Sequence, residues 1–105
     1  MNGNFDERQR LKDDDQTVDA RGWLTWDDDD DFAEITITII QDGDECAGPT
    51  IRCEPPSDKW RVEVTRQEPP SWNRGDASGR ADAVVTKKNG TTQDDPWDSP
   101  PLELH

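Results

Sequence analysis

The sequence is short of histidine, of aliphatic residues and, over one long stretch, of any base. Its only histidine, His105, is the last residue. No Ser-His-Asp or Cys-His arrangement can be built around it, and no glycine-rich phosphate loop is present. Carboxylates are abundant enough for a glycosidase-type pair, but nothing in their pattern sets two of them apart. The expectation is a non-catalytic protein. Leu, Ile, Val and Phe together account for only 16 of 105 residues. With a net charge of −13, that composition borders on the disordered range. The five tryptophans and short alternating apolar clusters point instead to a folded but thinly cored chain.

Long apolar runs are also missing. No segment approaches the roughly 18 residues of a membrane helix. The opening MNGNFDERQRLKDDD has no hydrophobic region of a secretory signal. The expected location is therefore cytoplasmic, or extracellular if a signal has been removed. Cysteine is limited to Cys46 and Cys53, with six residues between them. A zinc site from these and a terminal histidine is a poor match to known spacings. A disulfide across a hairpin is the alternative to two free thiols, and it requires an oxidising compartment.

The residues that are present alternate. Residues 1–17 are polar and mixed in charge and are expected to form a flexible leader, with 18–105 as a single β domain. In GWLTW, Gly22, Leu24 and Trp26 share one face, and Trp23 and Thr25 the other. In FAEITITIIQ, Ala33, Ile35, Ile37 and Ile39 share a face opposite Glu34, Thr36 and Thr38. That period of two, with β-branched residues, predicts a half-buried strand. Asp42-Gly43-Asp44 supplies a turn, and a short strand follows at 50–53. Trp60, Val62 and Val64 then alternate with charged residues. After a long connection over 68–79, Ala81, Ala83 and Val85 form another inner face. Asn89-Gly90 is a hairpin signal, and Leu102 and Leu104 close the chain. Six to seven short strands without a helix predict an all-β, small antiparallel sandwich, immunoglobulin-like by analogy of fold alone. Trp23, Trp60 and Trp97 are expected in packing positions, whereas Trp26 lies beside the aspartates and reads either way.

Between Arg21 and Arg52 there is no Lys or Arg, while the same stretch carries nine acids. Five of them form the run Asp27, Asp28, Asp29, Asp30 and Asp31. Because antiparallel strands reverse direction, successive loops alternate between two ends. The aspartate run is then expected beside residues 54–58 and the Asn89-Gly90 tip, with Lys87 and Lys88. Asp42, Asp44 and Glu45 belong to the opposite end, with the 68–79 connection and Asp98.

Three functions suit this pattern. Asp27–Asp31 together with Asp42, Asp44, Glu45 and the loop tryptophan Trp72 can form a surface for a protein with a basic face. The same carboxylates can imitate phosphates, as in a nucleic-acid mimic or immunity-type inhibitor. A calcium- or carbohydrate-binding module is the third, with Asp28, Asp30, Asp31 and Asp58 as oxygen donors and Trp72 as a sugar platform. No spaced DxDxDG loop supports calcium. A solvated aspartate loop with no ligand is the plainest alternative. Direct binding to nucleic acid or anionic lipid is disfavoured, because phosphate contacts require Lys and Arg. Arg74-Gly75-Asp76 matches an adhesion tripeptide, which alone carries little weight.

Overall fold

The computed structural model describes residues 1–12, 15–66 and 71–105. Asp13 and Asp14 of the expected leader, and residues 67–70 of the expected long connection, lie outside them. About 65% of the described residues are in strands and none is in a helix. All eleven strands belong to one mixed sheet. They are β1 (Asn2–Phe5), β2 (Arg8–Leu11), β3 (Thr17–Thr25), β4 (Asp30–Gln41), β5 (Asp44–Ala47), β6 (Ile51–Cys53), β7 (Lys59–Thr65), β8 (Gly75–Lys87), β9 (Thr92–Asp94), β10 (Trp97–Asp98) and β11 (Leu102–Leu104).

The sheet has two arms. In the first, β3 pairs antiparallel with β1, β2 and β7. In the second, β4 and β8 pair over their length and carry β5, β6, β9 and β10. The join is β11, antiparallel to β8 and parallel to β2. That parallel pair makes the sheet mixed, where an antiparallel one is expected. The period of two explains the core. Val18, Ala20, Leu24, Trp60, Val62 and Val64 of the first arm and Ile35, Ile37, Ile39, Ala81, Ala83 and Val85 of the second fall into one buried cluster. The arms meet where β7 lies against β4 and β5, and β1 against β10.

The N-terminal residues correct the leader expectation. Met1, Phe5, Gln9 and Leu11 are buried, and both short segments are paired strands. Phe5 meets Trp60 edge to face at 5.0 Å. The approach is close because Gly22, opposite Phe5, has no side chain. A Cβ there would come within 2.0 Å of the Asn4 carbonyl and 2.4 Å of the Trp60 ring. Between β1 and β2 the ladder is interrupted, and the Gln9 amide bridges the gap. It donates to the Asp6 and Arg21 carbonyls and accepts from the Arg21 amide. A buried amide that satisfies three backbone groups replaces ladder bonds that the chain cannot make there.

Other details differ from the expected six or seven strands. The strand read at Ala81 begins at Gly75, so Gly75 and Asp76 of the adhesion-like tripeptide are in β8, opposite β11. The 42–43 turn has positive φ at both residues, 54° and 82°, the left-handed geometry that an Asp-Gly pair tolerates and a two-residue hairpin needs. It returns the chain as β5, a strand that sequence alone does not reveal. Trp60 is buried and Trp97 packs partly against the core, but Trp23 is 43% exposed on the outer face of the first arm. Its position opposite in parity to Leu24 requires that.

Candidate functional site

The aspartate run links β3 to β4, and one of its members is not on the surface. Counting back in steps of two from Ile35 would turn Asp31 inward and Asp30 outward. A register shift between Asp30 and Phe32 inserts Asp31 as an extra residue and reverses this. Asp30 therefore points inward and is 1% exposed. Its register partner across the ladder is Lys87.

Lys87 Nζ lies 2.6 Å from Asp30, 3.3 Å from Asp29 and 3.8 Å from Asp27. The Met1 ammonium lies 2.9 Å from Asp30, 3.1 Å from Asp27 and 3.5 Å from Asp95. The Asp27 amide donates to Asp30 at 2.8 Å, and the Lys88 amide donates to the Asp29 carbonyl. Burial by itself raises the Asp30 carboxyl. Hydrogen bonds from Lys87, the Asp27 amide and the ammonium outweigh it and hold the group at about 2. The hydrogen bond to Asp30 raises Lys87 in turn.

This end also gathers the loops that strand counting assigns to it. The Trp26 indole donates to the Ser57 carbonyl at 2.6 Å, and the Leu24 amide to the Asp58 carbonyl. Between them opens a cleft of about 400 Å³ lined by Trp26, Asp27, Asp28, Asp30, Asp31, Pro55 and Lys88. Asp28 and Asp31 are exposed there, with no cationic group within 4.0 Å among the described residues. The proposed metal donors Asp28, Asp30, Asp31 and Asp58 are not assembled as a set. The carboxylates that converge within 4.8 Å are those of Asp27, Asp29 and Asp30, and the cations among them are Lys87 and the Met1 ammonium.

The remaining expected contacts lie elsewhere. Asp42, Asp44 and Glu45 sit at the far end of β4, roughly 35 Å from Asp30 along a twelve-residue strand. Asp44 pairs with Arg66, and Glu45 with Arg80. At the same end the Gln41 amide donates to the Asn73 and Asp76 carbonyls, and the Asn73 amide donates back to it. Trp72 is only 1% exposed, with the Arg66 guanidinium 4.8 Å above its ring, so it closes the core and offers no surface to a partner or sugar. Cys46 and Cys53 are both free thiols. They pair with Ile39 and Ala33, six residues apart on β4, which separates them by roughly 20 Å and rules out the bridge.

One charged cluster has no counterpart in the sequence reading. Asp19 lies on the outer face of β3 yet is 1% exposed. Arg61 grips it with Nε and Nη2 at 2.8 and 2.9 Å, and Arg21 Nη2 at 2.9 Å. Burial raises the Asp19 carboxyl, and these bonds more than reverse it, leaving the group below its ordinary value. The available signal was the outward parity of Asp19 with Arg21, but its cover comes from Arg61 on a strand forty residues away. In comparisons with protein-family models, curated proteins and solved structures, nothing matches this chain.

Proposed function

We propose that the protein is a non-catalytic binding module that takes cationic side chains of a partner protein into the cleft between Trp26 and the aspartate loop. The observation that carries this reading is the division of labour within the run. Asp27, Asp29 and Asp30 have counter-ions within 4.0 Å, whereas Asp28 and Asp31 line the cleft with none that close among the described residues, Lys88 lying on the same wall. Two unneutralised carboxylates beside an indole face suit a Lys or Arg side chain, which gains both charge and ring contact. The surface is narrower than the whole acidic stretch, because its two acidic ends are too far apart to act together. Imitation of phosphates for a nucleic-acid-binding protein would use the same two carboxylates. We also propose that the two arms are the layers of an immunoglobulin-like sandwich, supported by the single core that both arms feed.

The test is calorimetric titration with an oligoarginine peptide. Binding should weaken about tenfold in D28N/D31N and fall steeply with salt. The control D42N, at the far end, should leave it unchanged. Equal losses in both variants would show attraction to net charge alone and overturn the cleft.

A further inference from the structure

On the side opposite β11 the sheet is not closed. β7 pairs only with β3, and β6 only with β4, among the described residues. The orientation of the free edges follows from the bonds at their ends. The Asp58 carbonyl accepts from Leu24, and the Arg66 amide donates to Gln16, so even-numbered residues of this stretch face β3. In an antiparallel ladder the alternate residues face the other way. Lys59, Arg61 and Glu63 therefore direct their backbone groups into the seam. Among the described residues the Lys59 carbonyl has a partner there, the Ser57 hydroxyl at 3.3 Å, and Gly48 packs against the Glu63 carbonyl, so the open stretch of β7 is Lys59 and Arg61. Across the seam, the Gly48 amide donates to the Ile37 carbonyl, so odd-numbered residues of β4 face β5 and β6. Arg52, between Ile51 and Cys53, accordingly turns its backbone groups outward as well.

The seam widens into a groove of about 690 Å³, lined by Arg52, Cys53, Glu54, Lys59, Trp60 and Arg61 among others. Three bases against one acid is a local reversal of sign in a chain of net charge −13. Arg61 spends Nε and Nη2 on Asp19, and Arg52 spends the same atoms on Glu54. Each keeps Nη1, and Lys59 has no carboxylate within 4.0 Å among the described residues. Side chains on the floor are apolar, with Trp60 and Cys53 buried and the Cys53 thiol raised by burial and so protonated.

We propose that this seam is a strand-addition site for an extended acidic segment of a partner protein. The segment pairs its backbone with β7 at Lys59 and Arg61 and so closes the gap toward Arg52. Its outward side chains are carboxylates, held between Arg52 on one side and Lys59 and Arg61 on the other. Its inward side chains are small and apolar, over Trp60 and Cys53. A nucleic acid fits the charge but cannot satisfy unpaired strand edges, which only another peptide backbone matches. The site is distinct from the aspartate cleft and does not depend on it.

The probe is a fluorescein-labelled octapeptide of alternating Glu and Val, titrated by anisotropy into the full chain. At about 0.1 M salt the screening length is near 10 Å, so the peptide senses the groove and little of the aspartate end. Saturable binding is expected, weakened about tenfold by K59E and again by R52E. Both substitutions are at exposed positions, and unchanged thermal melting checks the fold. The same peptide N-methylated at alternate residues keeps its charge but should not bind. Amide exchange at Arg61 should slow in the complex. Equal binding of the N-methylated peptide, or of a Lys-Val peptide, overturns the proposal. So does displacement of the probe by a single-stranded oligonucleotide while the Arg61 amide still exchanges freely. Self-association of the chain that K59E abolishes, without peptide binding, would replace it with pairing between copies.

Discussion

Within one run of five aspartates, neighbouring residues have opposite effects on stability. Asp30 is enclosed with Lys87 and the Met1 ammonium, so removing it takes from both cations their nearest carboxylate. D30A should cost about 3 kcal/mol in urea unfolding, the range for breaking a buried pair from one side. Asp28 and Asp31 have like charges beside them and, among the described residues, no cationic group within 4.0 Å, so D28N and D31N should be neutral or stabilising by about 0.5 kcal/mol. Equal effects at 28 and 30 would contradict the buried position of Asp30. The pH dependence follows from the same geometry. Asp30 is depressed from 3.8 to about 2 in the folded chain, and Asp19 is lowered as well. A depressed carboxyl contributes its stability in full above its unfolded value and loses it as the pH falls through the folded one. Unfolding free energy should therefore decline from about pH 4 toward pH 2. In D30N that decline should be shallower, measured by urea titration at several pH values.

The N-terminal strands carry stability that their sequence does not advertise. Phe5 reaches the core only because Gly22 admits the Trp60 ring between β1 and β3. F5A should lower stability by about 3 kcal/mol, with β1 amides losing protection first in hydrogen exchange. A flexible leader would show no change. The alternation in β3, β4, β7 and β8 was legible, because burial of one face imposes a period of two that apolar residues display directly. So was the gathering of loops 27–31, 54–58 and 88–91 at one end, since it follows from counting antiparallel strands. NGNF and RQRL are too short and polar for that signal, and Gln9 is inward to satisfy backbone groups rather than to bury carbon. The bulge at Asp31 is likewise invisible in sequence, yet it decides which aspartate is buried. Asp19 acquires Arg61 across a long sequence separation, which local pattern does not encode, whereas the approach of Lys87 to the aspartate run follows from the strand count.

Across the whole molecule, charge is sorted by arm. Arg8, Arg10, Lys12, Arg21, Lys59, Arg61 and Arg66, seven of the twelve bases, lie on or beside β2, β3 and β7. Arg21 and Arg61 are directly opposite in register, an arrangement that repels unless a carboxylate lies between them, and Asp19 does. The acids are thereby concentrated at the two ends and on the second arm, where they exceed the available counter-ions. Self-repulsion of that excess opposes folding and is screened over about 8–10 Å at moderate salt. Exposed pairs such as Arg80–Glu45 weaken with salt too, but each contributes no more than about 1 kcal/mol. Because 25 acids face 12 bases, relief of repulsion should outweigh loss of pairs. The melting temperature should then rise between low salt and about 0.2 M sodium chloride, by roughly 4–8 °C for each kcal/mol of repulsion removed. A fall over that range would mean that the surface pairs, and not the net charge, dominate the electrostatics of the fold. Repeating the measurement with D28N/D31N separates the two contributions. Those residues add repulsion without pairing, so the variant should melt higher at low salt and respond less to added salt.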